Sequence, residues 1–353
     1  MNDQQDNIGR TFPLKDLAHS DPDTGAMVHR FIHDAPAMEQ VFSYATPNAS
    51  ADGRYLPCYS NVSGAWQIHA IDRQEMRSIQ LSAITPEISE LNGYISDVPC
   101  FNREYNRVFY HDRTRIYWTS IDGKEHGWVF QAPPGFWISA MSSHGRYLAF
   151  SYIEEMATPI LPNGCEAKGR PQLFYFPRSI VYAIDLETGA GEYVWGAHGY
   201  LGHVEMCPFD DNLIMFIDQS LTHWQQEVLV VDRKLVDGKQ AYQVLAGDFP
   251  DYRGRTLDYI GHCFFTRDGF IAGQYVEMGG VNMRNKYTDR SEFNLVIRPD
   301  GTGKRKCKFP GHGKPCHVHC QRPDGPWVGD HWIQDNGSIE MGWLSIIHND
   351  FIT

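Results

Sequence analysis

The chain has 353 residues and a formal net charge of −12, with 42% hydrophobic, 21% charged and 13% aromatic residues. That length buries a substantial core and the composition is that of an ordinary globular protein. The acidic balance argues against a general nucleic-acid binder, although a local site can still take an acidic ligand.

Taken in order, the chain opens on the polar run Met1-Asn2-Asp3-Gln4-Gln5-Asp6, which lacks the apolar segment of a secretory signal. No stretch reaches transmembrane length, so a membrane role is not expected. A cytoplasmic protein with its eight cysteines reduced is the expectation. Helix signals are sparse, the one weak window being 85–91. Short runs rich in Val, Ile, Tyr, Phe and Trp dominate, separated by Asp-Gly, Asn-Gly and Gly-Arg turns.

These runs group into six units. The first has a turn at 48–54 and strands at 66–71 and 76–81. The second has strands at 107–110, 115–120 and 127–131, with Asp122-Gly123 as a hairpin turn. The third runs from a strand at 137–141 through a long loop at 153–177 to strands at 180–185 and 191–195. Strands at 213–217, 228–232 and 242–245 make the fourth. The fifth has strands at 270–275, 293–298 and 304–309 around an insertion at 278–290. The sixth has strands at 327–329 and 341–347. Three or four strands in about 40–60 residues is the size of a propeller blade, so the expected fold is an all-β, single-domain β-propeller over 1–353.

One phrase repeats at the head of the last three units. Gly202-His203-Val204-Glu205, Gly261-His262-Cys263-Phe264 and Pro315-Cys316-His317-Val318-His319 each put histidine in a short strand ahead of an acidic turn. In a propeller the first strand of each blade lines the central channel, so His203, His262 and His317 or His319 are expected to converge near its mouth. His317 and His319 lie two apart and so on one face of a strand, a spacing at which two imidazoles can bind one metal ion. A His-rich loop that satisfies only its own hydrogen bonds is the plainer alternative. Cys316 and Cys320 also admit a structural zinc, but strand alternation sets Cys316 on the opposite face from His317.

Three phrases carry a resemblance. Ser20-Asp21-Pro22-Asp23-Thr24-Gly25, Tyr200-Leu201-Gly202-His203 with Pro208-Phe209-Asp210-Asp211, and Pro315-Cys316-His317 with Asp324-Gly325 and Val328-Gly329-Asp330 are similar to the oligogalacturonate lyases. The resemblance implies a seven-bladed propeller and β-elimination on a uronate-containing oligosaccharide. A base removes the C5 proton, a cation neutralises the neighbouring carboxylate, and the C4 oxygen leaves. It implies His203 and His262 as catalytic residues and His262, His317 and His319 as metal ligands. The implied ion is manganese, with calcium or zinc as alternatives. The chain departs from that pattern at 224–228, where Trp224-Gln225-Gln226-Glu227-Val228 holds none of the family's catalytic arginine. Lys314 also stands where the last-blade motif Gln-x-x-His-x-His has glutamine. Either the propeller is shorter or the N-terminus builds one blade.

Arg178 is the candidate substitute cation and Tyr259 the candidate acid, each against a plainer role as a structural arginine or a packing aromatic. Trp137, Trp224 and Trp332 are candidates for sugar stacking. A non-catalytic propeller that binds a glycan or a protein is the alternative function.

Overall fold

The computed structural model describes residues 7–22, 25–33, 39–41, 49–84, 99–155, 177–218, 227–235, 241–244, 259–278, 290–308, 314–320, 327–335, 338–341 and 345–347; at 39–41, 227, 241–244, 259–261, 276–278, 290–293 and from 307 onward only the backbone is described. The window 85–91, most of the 153–177 and 278–290 insertions and Trp224 lie outside the described residues. Among those described there is no α-helix, and no helix long and apolar enough to cross a membrane. The chain divides into two compact units, Met1–Arg146 and Tyr147–Thr353.

In the first unit, Glu39–Val41, Tyr55–Ser60, Gln67–Asp72 and Arg77–Gln80 form an antiparallel meander. The N-terminal strand Thr11–Asp16 adds to Arg77–Gln80, and Phe31–His33 adds to it in turn. The N-terminus therefore extends the first sheet. Between these two strands, His19–Ser20 pairs with Met27–Val28, and the amide of Gly25 donates to the carbonyl of Asp21 at 2.9 Å to close the turn. The second sheet is Cys100–Asn102, Arg107–His111, Arg115–Ser120 and His126–Gln131, in that order.

In the second unit, Tyr147–Glu154, Arg178–Asp185 and Gly191–His198 pair in order as the third sheet. Leu201–Met206, Leu213–Asp218, Glu227–Asp232 and Ala241–Val244 form the fourth. Tyr259–Phe265, Ile271–Met278, Arg290–Ile297 and Arg305–Lys308 form the fifth. Lys314–Cys320, Trp327–Asp335 and Ser338–Met341 form the sixth, with Ser345–Ile347 also on the middle strand. The run 341–347, expected as one strand, is thus divided between two.

Burial follows position within each sheet. Gln67–Asp72 is buried throughout, and Leu213–Asp218 at all but its ends, because both faces of a middle strand are covered. The last strands His126–Gln131 and Gly191–His198 are only partly buried or exposed at every position but Val194, leaving Trp128 and Tyr193 in solvent. Tyr59, Ile68 and Ile79 of the first sheet pack with Phe101 and Val108 of the second. Met215 and Ile217 of the fourth sheet pack with Cys263, Phe265 and Tyr275 of the fifth. The recurring acidic turns have a local cause: each aspartate caps the amide two residues on. Asp52 accepts from Arg54 at 3.0 Å, Asp112 from Thr114 at 3.0 Å and Asp210 from Asn212 at 3.1 Å.

Candidate active site

The first strands of the fourth, fifth and sixth sheets share one irregularity. In the fourth sheet the register Gly202↔Ile217 becomes Glu205↔Met215, so one extra residue sits at 203–204. In the fifth, Gly261↔Gln274 becomes Phe264↔Ala272, with the extra residue at 262–263. In the sixth, Pro315↔His331 becomes Val318↔Gly329, with the extra residue at 316–317. A bulge of this kind bends the strand and re-aims a side chain at a sheet edge. Here it recurs at one depth in three consecutive sheets.

His203 and His262 occupy the first bulge position with φ of 49° and 48°. A residue with a Cβ is strained there by about 1 kcal/mol or more, and glycine is the usual occupant. Histidine in that conformation twice, at equivalent positions, points to a use for the ring. The two rings meet edge to face, with centroids 6.1 Å apart and planes at 67°. Both residues are partly exposed, whereas their neighbours Val204 and Cys263 are buried. The three first strands approach one another in order, 201–206 against 259–265 and 259–265 against 314–320.

By register the sixth-sheet equivalent of His203 and His262 is Cys316. His317 corresponds to Val204 and Cys263, and His319 to Met206 and Phe265. The side chains of 314–320 lie outside the described residues. The alternation argument against Cys316 sharing a site with His317 fails at this point, because the extra residue interrupts alternation between Pro315 and Val318. Among the described residues there is no group of three or more His, Cys, Asp or Glu arranged to hold a metal.

Arg178 begins a strand and is 58% exposed; its Nη2 and Nε donate to the two carboxylate oxygens of Glu154 at 2.9 and 3.1 Å. That pairing raises the guanidinium pKa, and it engages the fork that was expected to meet a substrate carboxylate. Tyr259 is the first residue of its strand, opposite Val276. Trp137 lies under the Arg113 guanidinium at 5.4 Å. Four of the cysteines, Cys58, Cys100, Cys207 and Cys263, are buried free thiols, and burial pushes the Cys100 and Cys263 thiols far up.

One residue escaped the sequence reading. Glu205 follows His203 by two and is only 5% exposed. Its Oε1 accepts the backbone N–H of Phe265, in the next sheet, at 3.0 Å. Its Oε2 has no hydrogen-bond partner among the described residues. Burial pushes its carboxyl up to about 8, against the smaller opposing pull of that N–H, so the acid is neutral at pH 7. A charged residue type between the apolar Val204 and Met206 was the available signal.

Neither a family model nor a curated protein sequence matches the chain. Solved structures do. An oligogalacturonate lyase in complex with manganese is similar over 91% of this chain and 79% of its own, with a TM-score of 0.68 and 16% identity. The β-propeller domain of the Trilobed protease from Pyrococcus furiosus is similar over 91% and 92%, with a TM-score of 0.52 and 12% identity. The fold is a β-propeller. An oligogalacturonate lyase from Vibrio parahaemolyticus also aligns over 91% of this propeller and 94% of its own length, at a TM-score of 0.51 and 13% identity. At these identities the likeness fixes the fold and a distant propeller relationship. Six of the propeller's blade-type sheets are present among the described residues, and they correspond to the six units legible in the sequence.

Proposed function

We propose that this propeller is a lyase that cleaves uronate-containing oligosaccharides by metal-assisted β-elimination, with the bulged histidine edge as its active site. The observation that carries the reading is the His203–His262 pair, two strained imidazoles brought edge to face by the same irregularity in neighbouring sheets. Strain that the fold stores at one depth in successive blades is characteristic of functional sites.

The chemistry needs a base for a weakly acidic C–H and a counter-charge for the adjacent carboxylate. An imidazole is the side chain best matched to proton transfer near neutral pH. His203 accepts the C5 proton, the C–H electron pair becomes the C4–C5 double bond, and the C4–O bond breaks as the leaving oxygen takes the proton back from the His203 imidazolium. Because the Arg178 guanidinium is engaged by Glu154, it supplies no free counter-charge in this arrangement. His262 together with His317 and His319 would hold a divalent ion, which when bound neutralises the substrate carboxylate and stabilises the enolate-like charge. A donor set of neutral imidazoles fits zinc best; manganese, which favours oxygen, would need water or the substrate carboxylate beside the imidazoles, and calcium fits poorly. The buried free thiols support the expectation of a reducing compartment.

The test is to give the manganese-loaded protein a panel of uronate oligosaccharides and follow the ultraviolet absorbance of the unsaturated product. Absorbance that rises, stops with chelator and is lost in His262→Ala supports the lyase. A flat trace from folded, metal-loaded protein across the panel overturns it and favours the non-catalytic glycan- or protein-binding propeller.

A further inference from the structure

The His203–His262 spacing depends on how two separate sheets are held together. No ladder of backbone hydrogen bonds joins Leu201–Met206 to Tyr259–Phe265, since each is the first strand of its own sheet and pairs with its own second strand. Apolar packing between the sheets is broad but non-directional, and it tolerates small slips of one face over the other. The Glu205 carboxyl contributes a directional link. It lies two residues beyond His203 and bonds an amide three residues beyond His262, so it spans the gap just below both bulges.

We propose that Glu205 is a positioning residue for the histidine pair: its bond to the Phe265 amide fixes the separation of the two bulged strands and with it the relation of the two rings. The inference rests on the reading of that pair as the active site. A buried carboxyl opposite Met215 and against the Phe265 amide is an expensive way to fill space, and a leucine would pack there without the desolvation it incurs. What the acid supplies and leucine cannot is an acceptor for the Phe265 N–H, which would otherwise be a buried, unpaired donor. Being neutral at pH 7, the acid serves as such an acceptor without placing a charge between the blades.

The bond makes no demand for ionisation, so glutamine, whose side-chain carbonyl occupies the same position, is the conservative replacement. Leucine and alanine remove the acceptor, and aspartate withdraws it by one methylene. Imidazole signals of histidine-labelled protein, assigned with His203→Asn and His262→Asn, report the pair directly and need no substrate. Glu205→Gln is expected to leave both signals in place. Glu205→Leu, Glu205→Ala and Glu205→Asp, whichever of them fold, are expected to displace both while the exposed His19 and His126 stay unmoved. With substrate, the acceptor-less variants should lose about 100-fold in kcat and the glutamine variant no more than a few-fold, the scale expected when reacting groups are misplaced by about 1 Å. Two results overturn the proposal: a folded leucine or alanine variant with both signals in their wild-type positions, or a glutamine variant displaced as far as leucine. A protein that shows the displacement but no elimination on any substrate loses the lyase reading and keeps the positioning role.

Discussion

The first sheet and the fourth-to-fifth sheet edge put histidine to opposite uses. His69 lies in the regular interior strand Gln67–Asp72, opposite Cys58 and Gln80, and is 0% exposed. Neither of its ring nitrogens has a hydrogen-bond partner among the described residues, and Phe12 packs on it at 5.6 Å. Burial, with a smaller contribution from His33, pushes it down to about 3, so it stays neutral. His203 and His262 lie in first strands, on bulges with positive φ, and remain partly exposed. Residue type and strand membership are shared; the extra residue in the register is not. A regular strand packs its histidine into the blade, and a bulged edge turns it out.

The sharpest way to break this comparison is to mutate both sides. His203→Ala, by losing the base, and His262→Ala, by losing the metal, should each lower elimination activity by about 100-fold or more, with the fold retained by circular dichroism. His69→Leu should leave the activity at the wild-type level. Equal losses on both sides would erase the distinction.

The next effect is on stability against pH, where the buried groups of the two regions have opposite signs. Glu205 has an ordinary carboxyl value of 4.5 when unfolded and about 8 when folded. Between those values the folded state holds more protons, so stability falls as pH rises, by at most about 1.4 kcal/mol per pH unit. Glu205→Gln should remove that fall, as read from denaturant midpoints across pH 5 to 8. His69 goes the other way: 6.5 unfolded and about 3 folded. Below 6.5 the unfolded state takes up the proton first, so stability falls as pH drops towards 3. His69→Leu should abolish that acid limb and raise neutral-pH stability by about 1 kcal/mol, because it replaces an unpaired buried polar ring.

The smallest effect is expected at Arg178. Its ion pair with Glu154 is largely in solvent, so Arg178→Ala should leave the melting temperature within error and the activity within a few-fold. A loss of activity as deep as that of His262→Ala would restore Arg178 as the substrate-facing cation.

The strands and their grouping were legible because sheets buried on both faces need continuous apolar runs, and Asp-containing turns punctuate them. The N-terminal strand Thr11–Asp16 was not, since Thr-Phe-Pro-Leu-Lys-Asp carries a proline and little alternation; its place is fixed by Arg77–Gln80. His203 and His262 were legible as residues but not as a bulged pair. A bulge is a property of two strands, and only the partner's register shows that Gly202 and Glu205 face residues two apart. The same limit applied to Cys316, whose correspondence with His203 and His262 depends on Pro315 pairing with His331 and Val318 with Gly329. Glu205 was hidden for another reason. Its partner is a backbone amide sixty residues away in a different sheet, and no local pattern encodes that.

The decisive experiment on the bulged histidine edge is a manganese titration followed by electron paramagnetic resonance on wild type, His262→Ala and His69→Leu. Saturable binding is expected in wild type and His69→Leu and is expected to be lost in His262→Ala. Binding that survives His262→Ala unchanged, or that is absent from folded wild type, would contradict the bulged histidine edge as the metal-dependent site.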